Sequence, residues 1–88
     1  LDTGVMSTHV QFRQGRVVRG YNSINKNTDT NDRNGHGTHV ASTVIGTTLG
    51  VSNQAKVVPV KVLGDSGSGT WSGVIKGIEW SIKNIKKT

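Results

Sequence analysis

The last third of the chain constrains the fold most, because a β-branched run is followed there, across a short turn, by a helical apolar period. Val57-Val58-Pro59-Val60-Lys61-Val62-Leu63 predicts a strand over residues 56–63 of the kind buried in a parallel sheet. Pro59, lacking an N–H, limits how early its ladder can begin. After the turn-rich connector Gly64 to Gly69, apolar residues recur at Trp71, Val74, Ile75, Ile78, Ile82 and Ile85. Those steps of three and four line one face of a helix. Lys76, Glu79, Lys83 and Lys86 fall on the other face, with Glu79 spaced to pair with Lys83 and the terminal lysines complementing the helix dipole. A strand followed by such a helix specifies an α/β fold with a mainly parallel sheet and flanking helices. Upstream, Leu1-Asp2-Thr3-Gly4-Val5 reads as a strand end turning into a loop. Residues 14–34, rich in Gly, Asn, Asp, Thr and Arg, read as loop, with Arg16-Val17-Val18 the sole apolar punctuation. There is no internal repeat.

Length and composition narrow the function. At 88 residues the chain has little interior to offset its folding entropy, and Leu1 at one end and Lys86-Lys87-Thr88 at the other lead us to expect a piece of something longer. Apolar residues make up 32%, to which 12 glycines add, so the composition is globular rather than disordered. The formal charge of +6 suits a polyanion, but the basic residues are scattered from Arg13 to Lys87. That distribution reads as a solvated surface, not a nucleic-acid site. No run approaches the about eighteen apolar residues of a membrane helix, so no membrane partner is expected, and no signal segment opens the chain. Without cysteine there is neither disulfide nor thiolate chemistry, and the redox compartment stays open.

The strongest chemical signal is Gly35-His36-Gly37-Thr38-His39-Val40-Ala41. Flanking glycines strip away bulk and let other groups approach the imidazole. A short helix starting at His36, with Val40, Ala41 and Val44 burying one side, would hold the ring rigidly outward, as a general base requires. Such a histidine needs a carboxylate to fix its tautomer and stabilise its imidazolium. Asp2, at the end of an apparent strand and followed by Thr3 and Gly4, is the candidate. On its own the tripeptide reads more readily as the start of a turn; only beside His36 does it gain weight.

Together these residues resemble the subtilisin-like serine proteases, in particular their proteinase K branch. The resemblance rests on Asp2-Thr3-Gly4, on Gly35 to Ala41, and on Lys61-Val62-Leu63-Gly64 through Gly67-Ser68-Gly69 followed by Gly77-Ile78-Glu79-Trp80. It spans nearly the whole chain, and the histidine motif is its most specific part. It implies the three-layer fold of that family, with residues 1–88 forming part of one peptidase domain. Asp2 would be the triad acid and His36 the general base, while His39 would pack below the site in a structural role. Gly67, Ser68 and Gly69 would pair with the backbone of a peptide or protein substrate. Leu63 and Trp71 would wall an apolar subsite, although Trp71 fits an ordinary helix-face position equally well. The resemblance also implies a secreted, monomeric enzyme, and no cofactor or metal is assigned.

Several features depart from the family pattern. The sequence contains neither the serine motif nor the oxyanion-hole asparagine. Since triad members act as a unit, the chain by itself is expected to be inactive. An inactive remnant and a polyanion-binding module are the rival readings. Ser42 stands where the family usually has glycine, which would crowd the helix, and Gly46 to Gly50 is too short for a calcium loop. Gly64-Asp65-Ser66-Gly67 mimics the nucleophile segment of chymotrypsin-like enzymes, but there histidine precedes aspartate, whereas Asp2 precedes His36; Ser66 is expected in a turn. Asp29, Asn31, Asp32 and Asn34 resemble a calcium loop in composition only, with Asn34 at the sixth position and Val40 at the twelfth, and are expected to form a solvated loop. His36, His39 and His9 lack the HExxH arrangement of a zinc site.

Overall fold

The computed structural model describes residues 1–12 and 15–85. Arg13, Gln14 and Lys86 to Thr88, among them part of the expected polar helix face, lie outside the described residues. The elements in chain order are β1 (Tyr21–Asn22), α1 (His36–Ile45), β2 (Val60–Lys61) and α2 (Trp71–Asn84).

The centre of the sheet is β2. On one side it pairs in parallel with β1, in the register Tyr21 to Val60 and Asn22 to Lys61. On the other side an isolated parallel bridge joins Asp2 to Lys61, with Asp2 N–H donating to the Val60 carbonyl at 3.1 Å and Val62 N–H to the Asp2 carbonyl at 3.0 Å. The strand is shorter than the apolar run predicts. Val57 does pair with Val17, but the ladder breaks at Val58 and Pro59, because proline cannot donate; only its carbonyl is used, by Tyr21 N–H at 3.1 Å.

The presence of β1 corrects the expectation of loop throughout residues 14–34. What shapes it is polar and local rather than apolar. Asn22, 1% exposed, accepts from Ile24 N–H and Asn25 N–H through Oδ1 and donates from Nδ2 to the Asp29 carbonyl, closing a turn directly behind the strand. Gly20 admits the neighbouring strand, since a side chain there would collide with the Pro59 carbonyl.

Alternation along β2 separates two layers. Val60 and Val62 face α2, which approaches so closely that a Cβ at Gly77 would strike Val62 Cγ1. Tyr21 stacks on Trp80 with ring centroids 5.7 Å apart, and Ser23 Oγ donates to the Gly73 carbonyl at 2.8 Å. Thr70 caps α2 by accepting from Gly73 N–H at 3.1 Å. The face packed on the sheet is thus Gly73, Gly77 and half-buried Trp80, not the isoleucine stripe that the apolar period picks out. Trp71 is 83% exposed, Ile82 67% and Ile75 52%, because only small residues allow the axis to sit this close to the valines. Ile85 has left the helix, and Glu79 with Lys83 is not among the ion pairs of the described residues.

The other helix, α1, packs not on β1 or β2 but beside the bridge between Val17 and Val57. Ala41 and Ile45 join Val5 and Phe12 in one cluster, with Val17 and Val57 against it. Burial of such side chains contributes about 1.5–3 kcal/mol each for the larger ones. Gly37, Thr38, Ala41 and Ile45 face inward, whereas Val40 and Val44 are half exposed, contrary to the expected inner face. The rotation of α1 is set by its anchored first turn, not by its most apolar stripe. Ser42 folds its hydroxyl back onto the Thr38 carbonyl at 2.9 Å.

Candidate active site

The first four N–H groups of a helix have no partner within the helix and must find one elsewhere. In α1 the N-cap residue Gly35, at φ 107°, has no side chain to offer, so the partners come from outside. His36 N–H donates to Asn34 Oδ1 at 3.1 Å, Gly37 N–H to Thr3 Oγ1 at 2.9 Å, and Thr38 N–H to Asp32 Oδ2 at 2.8 Å, before His39 N–H reaches the Gly35 carbonyl at 3.0 Å. Thr3 is therefore part of the cap of a helix, accepting from a residue 34 positions away. Since Thr3 follows Asp2 and Gly37 follows His36, this capping bond brings the carboxylate to the imidazole.

The contact itself is short. His36 Nδ1 lies 2.8 Å from Asp2 Oδ1 and 3.0 Å from Oδ2. A carboxylate can only accept, so Nδ1 carries the proton and Nε2 keeps its lone pair. Asp2 Oδ1 also accepts from Thr3 N–H at 2.7 Å. The hydrogen bond to Asp2 and then its charge raise the His36 pKa above the ordinary 6.5. For Asp2, burial opposes ionisation, but the hydrogen bonds from His36 and Thr3 N–H outweigh it and hold the carboxyl below its usual value. The His36 side chain is 65% exposed against 20% for Asp2, so the base faces outward and the acid sits behind it.

Two residues that sequence reasoning passed over organise this pair. Asp32, expected in a solvated loop, instead accepts five hydrogen bonds: Thr3 Oγ1, Asn34 N–H and Gly35 N–H on Oδ1, and Thr38 N–H and Thr38 Oγ1 on Oδ2. Burial opposes its charge, but the Gly35 and Thr38 bonds dominate and hold it far below the usual carboxylate range. An acidic residue just ahead of a helix start was the signal available for it. Lys61, 4% exposed, donates from Nζ to the Thr3 carbonyl at 2.9 Å, the Asn31 carbonyl at 2.8 Å and Asp65 Oδ1 at 2.9 Å. Its signal was a lone lysine inside a β-branched run, where a buried charge needs partners.

The remaining candidates are placed as follows. His39 is exposed on α1. Leu63 is half-buried, with its N–H on the Asp2 carbonyl at 3.2 Å. Gly67, Ser68 and Gly69 are exposed. The turn holding Ser66 is closed by Gly64 N–H to the Ser68 carbonyl at 2.8 Å and Gly67 N–H to the Gly64 carbonyl at 2.9 Å. Asn34 Nδ2 donates to the Asp65 carbonyl at 2.9 Å, joining this loop to the one that carries His36. The Gly67 carbonyl and both peptide groups of Gly69 have no hydrogen-bond partner among the described residues, leaving them free to pair with an extended chain.

Comparison with known proteins gives the family of the chain. A model described as the subtilase family matches residues 1–87. Subtilisin-like protease 5 of Trichophyton verrucosum is 51% identical over 99% of this chain and 21% of its own length. Alkaline serine exoprotease A of Vibrio alginolyticus is 49% identical over 96% of this chain and 16% of its own. Among solved structures, a cold adapted subtilisin-like serine proteinase superposes with a TM-score of 0.92 at 48% identity, covering 97% of this chain and 31% of that one. The chain thus spans about a fifth of the length of the curated relatives it matches.

Proposed function

Given that the chain belongs to the subtilase family, we propose that residues 1–88 are the acid- and base-bearing part of a secreted serine-type endopeptidase domain, with Asp2 as acid and His36 as general base. The observation that carries this reading is the 2.8 Å contact between His36 Nδ1 and Asp2, made on a ring whose other nitrogen faces outward. In the proposed reaction a serine, supplied by the part of the enzyme beyond these residues, loses its proton to His36 Nε2 as its oxygen attacks the peptide carbonyl carbon. The imidazolium so formed is stabilised through Nδ1–H by Asp2 and then gives its Nε2 proton to the leaving amine. Water, deprotonated in turn by His36, releases the acyl group. The substrate would lie extended along Gly67, Ser68 and Gly69, using their unpaired peptide groups, with Leu63 beside it. Affinity drawn from main-chain bonds makes few demands on substrate sequence.

The test is labelling of the complete gene product by a serine-directed fluorophosphonate. Labelling is expected in the unsubstituted protein and absent in His36→Ala. Asp2→Asn, which leaves His36 free to take the wrong tautomer, is expected to cut kcat on the order of 10⁴-fold. A complete product without labelling, or labelling indifferent to His36→Ala, would overturn the reading.

A further inference from the structure

We propose that Asp32, acting through the Thr3 hydroxyl, is a positioning residue that sets the distance between Asp2 and His36. The inference rests on the catalytic reading above. Asp2 and His36 are 34 positions apart, on segments held by different parts of the fold, and their mutual hydrogen bond alone would have to hold an exposed ring in place. A relay behind them removes that demand. Gly37 N–H donates to Thr3 Oγ1 at 2.9 Å, and Thr3 Oγ1–H donates onward to Asp32 Oδ1 at 2.8 Å. Because its single proton is committed to the carboxylate, the hydroxyl presents a lone pair to Gly37, so the ionised Asp32 fixes the direction of both bonds.

The other oxygen completes the clamp. Asp32 Oδ2 accepts from Thr38 N–H at 2.8 Å and Thr38 Oγ1 at 2.7 Å, while Thr38 Oγ1 itself accepts from Met6 N–H at 2.9 Å. The two segments are thereby joined twice, through Thr3 to Gly37 and through Met6 to Thr38. Thr3 is fully buried, so water does not compete for its hydroxyl. Gly37 belongs to the same arrangement, as a Cβ there would collide with the Gly4 carbonyl. A carboxylate that merely capped α1 would need only the bonds to Gly35 and Thr38. The bond to Thr3 goes further: it orients the hydroxyl that accepts from Gly37 N–H and reaches directly to the neighbour of Asp2.

The experiment compares Thr3→Val, Thr3→Ser and Asp32→Asn in the complete gene product, with kcat and KM expressed per fluorophosphonate-reactive site and folding followed by thermal melting. Thr3→Val and Asp32→Asn are each expected to lower kcat on the order of 10²-fold, the cost of a misplacement near 1 Å. KM should change little, because only the reacting geometry is disturbed. Thr3→Ser should recover most of what Thr3→Val loses. The acidic limb of kcat/KM should move to lower pH in Thr3→Val, where the Asp32 charge remains. If Asp32→Asn does not fold, the isosteric Thr3→Val carries the test. An unchanged kcat in Thr3→Val, a loss that Thr3→Ser fails to recover, or a loss with an unmoved acidic limb would overturn the clamp and leave the catalytic reading standing. An unsubstituted protein that is not labelled overturns both.

Discussion

At the scale of single residues, the dominant fact is that His36 is held in one tautomer by a carboxylate that is itself hydrogen-bonded from behind. A base works in its neutral form, and the hydrogen bond and charge of Asp2 favour the protonated one. Catalysis should therefore switch on as pH rises through a raised value: the acidic limb of kcat/KM is expected above the ordinary 6.5, and Asp2→Asn should bring it down. The same pairing makes a stability contribution of opposite sense, present at low pH where His36 is charged and lost as pH rises through its folded pKa. A pH–rate profile of the complete enzyme, with and without the substitution, checks the direction. His36 was legible from its flanking glycines, whereas Asp2 gained its place as partner only beside His36 and through the family resemblance of the two motifs. Asp32 and Lys61 were not legible, because their importance lies in partners up to 58 positions away, among them Thr3 and Asn31, whose contribution to each bond is invisible in the local pattern.

At the scale of elements, local pattern and packing part company where glycine replaces bulk. The period of α2 correctly marks a helix from Trp71, but hydrophobicity ranks its faces wrongly, since contact with the sheet is made at Gly73 and Gly77. Gly77→Val is expected to destabilise the fold by about 1–3 kcal/mol by overpacking against Val60 and Val62. Ile78→Ala on the exposed stripe should cost far less, and denaturant melts of the two variants decide the order. The strand β1 was hidden for a related reason. Tyr21 and Asn22 lack an apolar alternation, and what makes them a strand is the close passage at Gly20 and the turn built by the Asn22 side chain. In α1, by contrast, the start was readable to the residue, because Gly35-His36-Gly37 marks both the cap and the close approach.

At the scale of the whole molecule, the described residues form an α/β fragment in which α2 packs on a parallel two-stranded sheet and α1 on a cluster with Val5, Phe12, Val17 and Val57, in the fold class that the strand-then-helix order specifies. Yet Trp71, Ile75, Ile78 and Ile82 remain exposed along α2, and Val40 and Val44 along α1. Apolar surface of that extent drives association. The 88-residue chain, expressed alone, is accordingly expected to self-associate at micromolar concentration and to bind a hydrophobic dye. Sedimentation velocity showing a dye-negative monomer would contradict this. Its +6 charge does not alter the expectation, as repulsion between scattered charges is screened within about 10 Å at moderate salt.

The middle position of β2 has a consequence in time. Asp2 obtains its backbone partners from Val60 and Val62, so once synthesised the Asp2 segment cannot take its place in the sheet until the chain has grown by a further 58 residues or so. At roughly 5–20 residues per second that is a wait of several seconds. Throughout it the nascent Asp2 segment stays unpaired, and the loop closure that ends the wait is a long-range one, of the kind that slows folding. Asp2 and His36 are thus both synthesised before the strand that aligns them, and come together when translation of Lys61 supplies that strand and the ammonium bound to the Thr3 and Asn31 carbonyls.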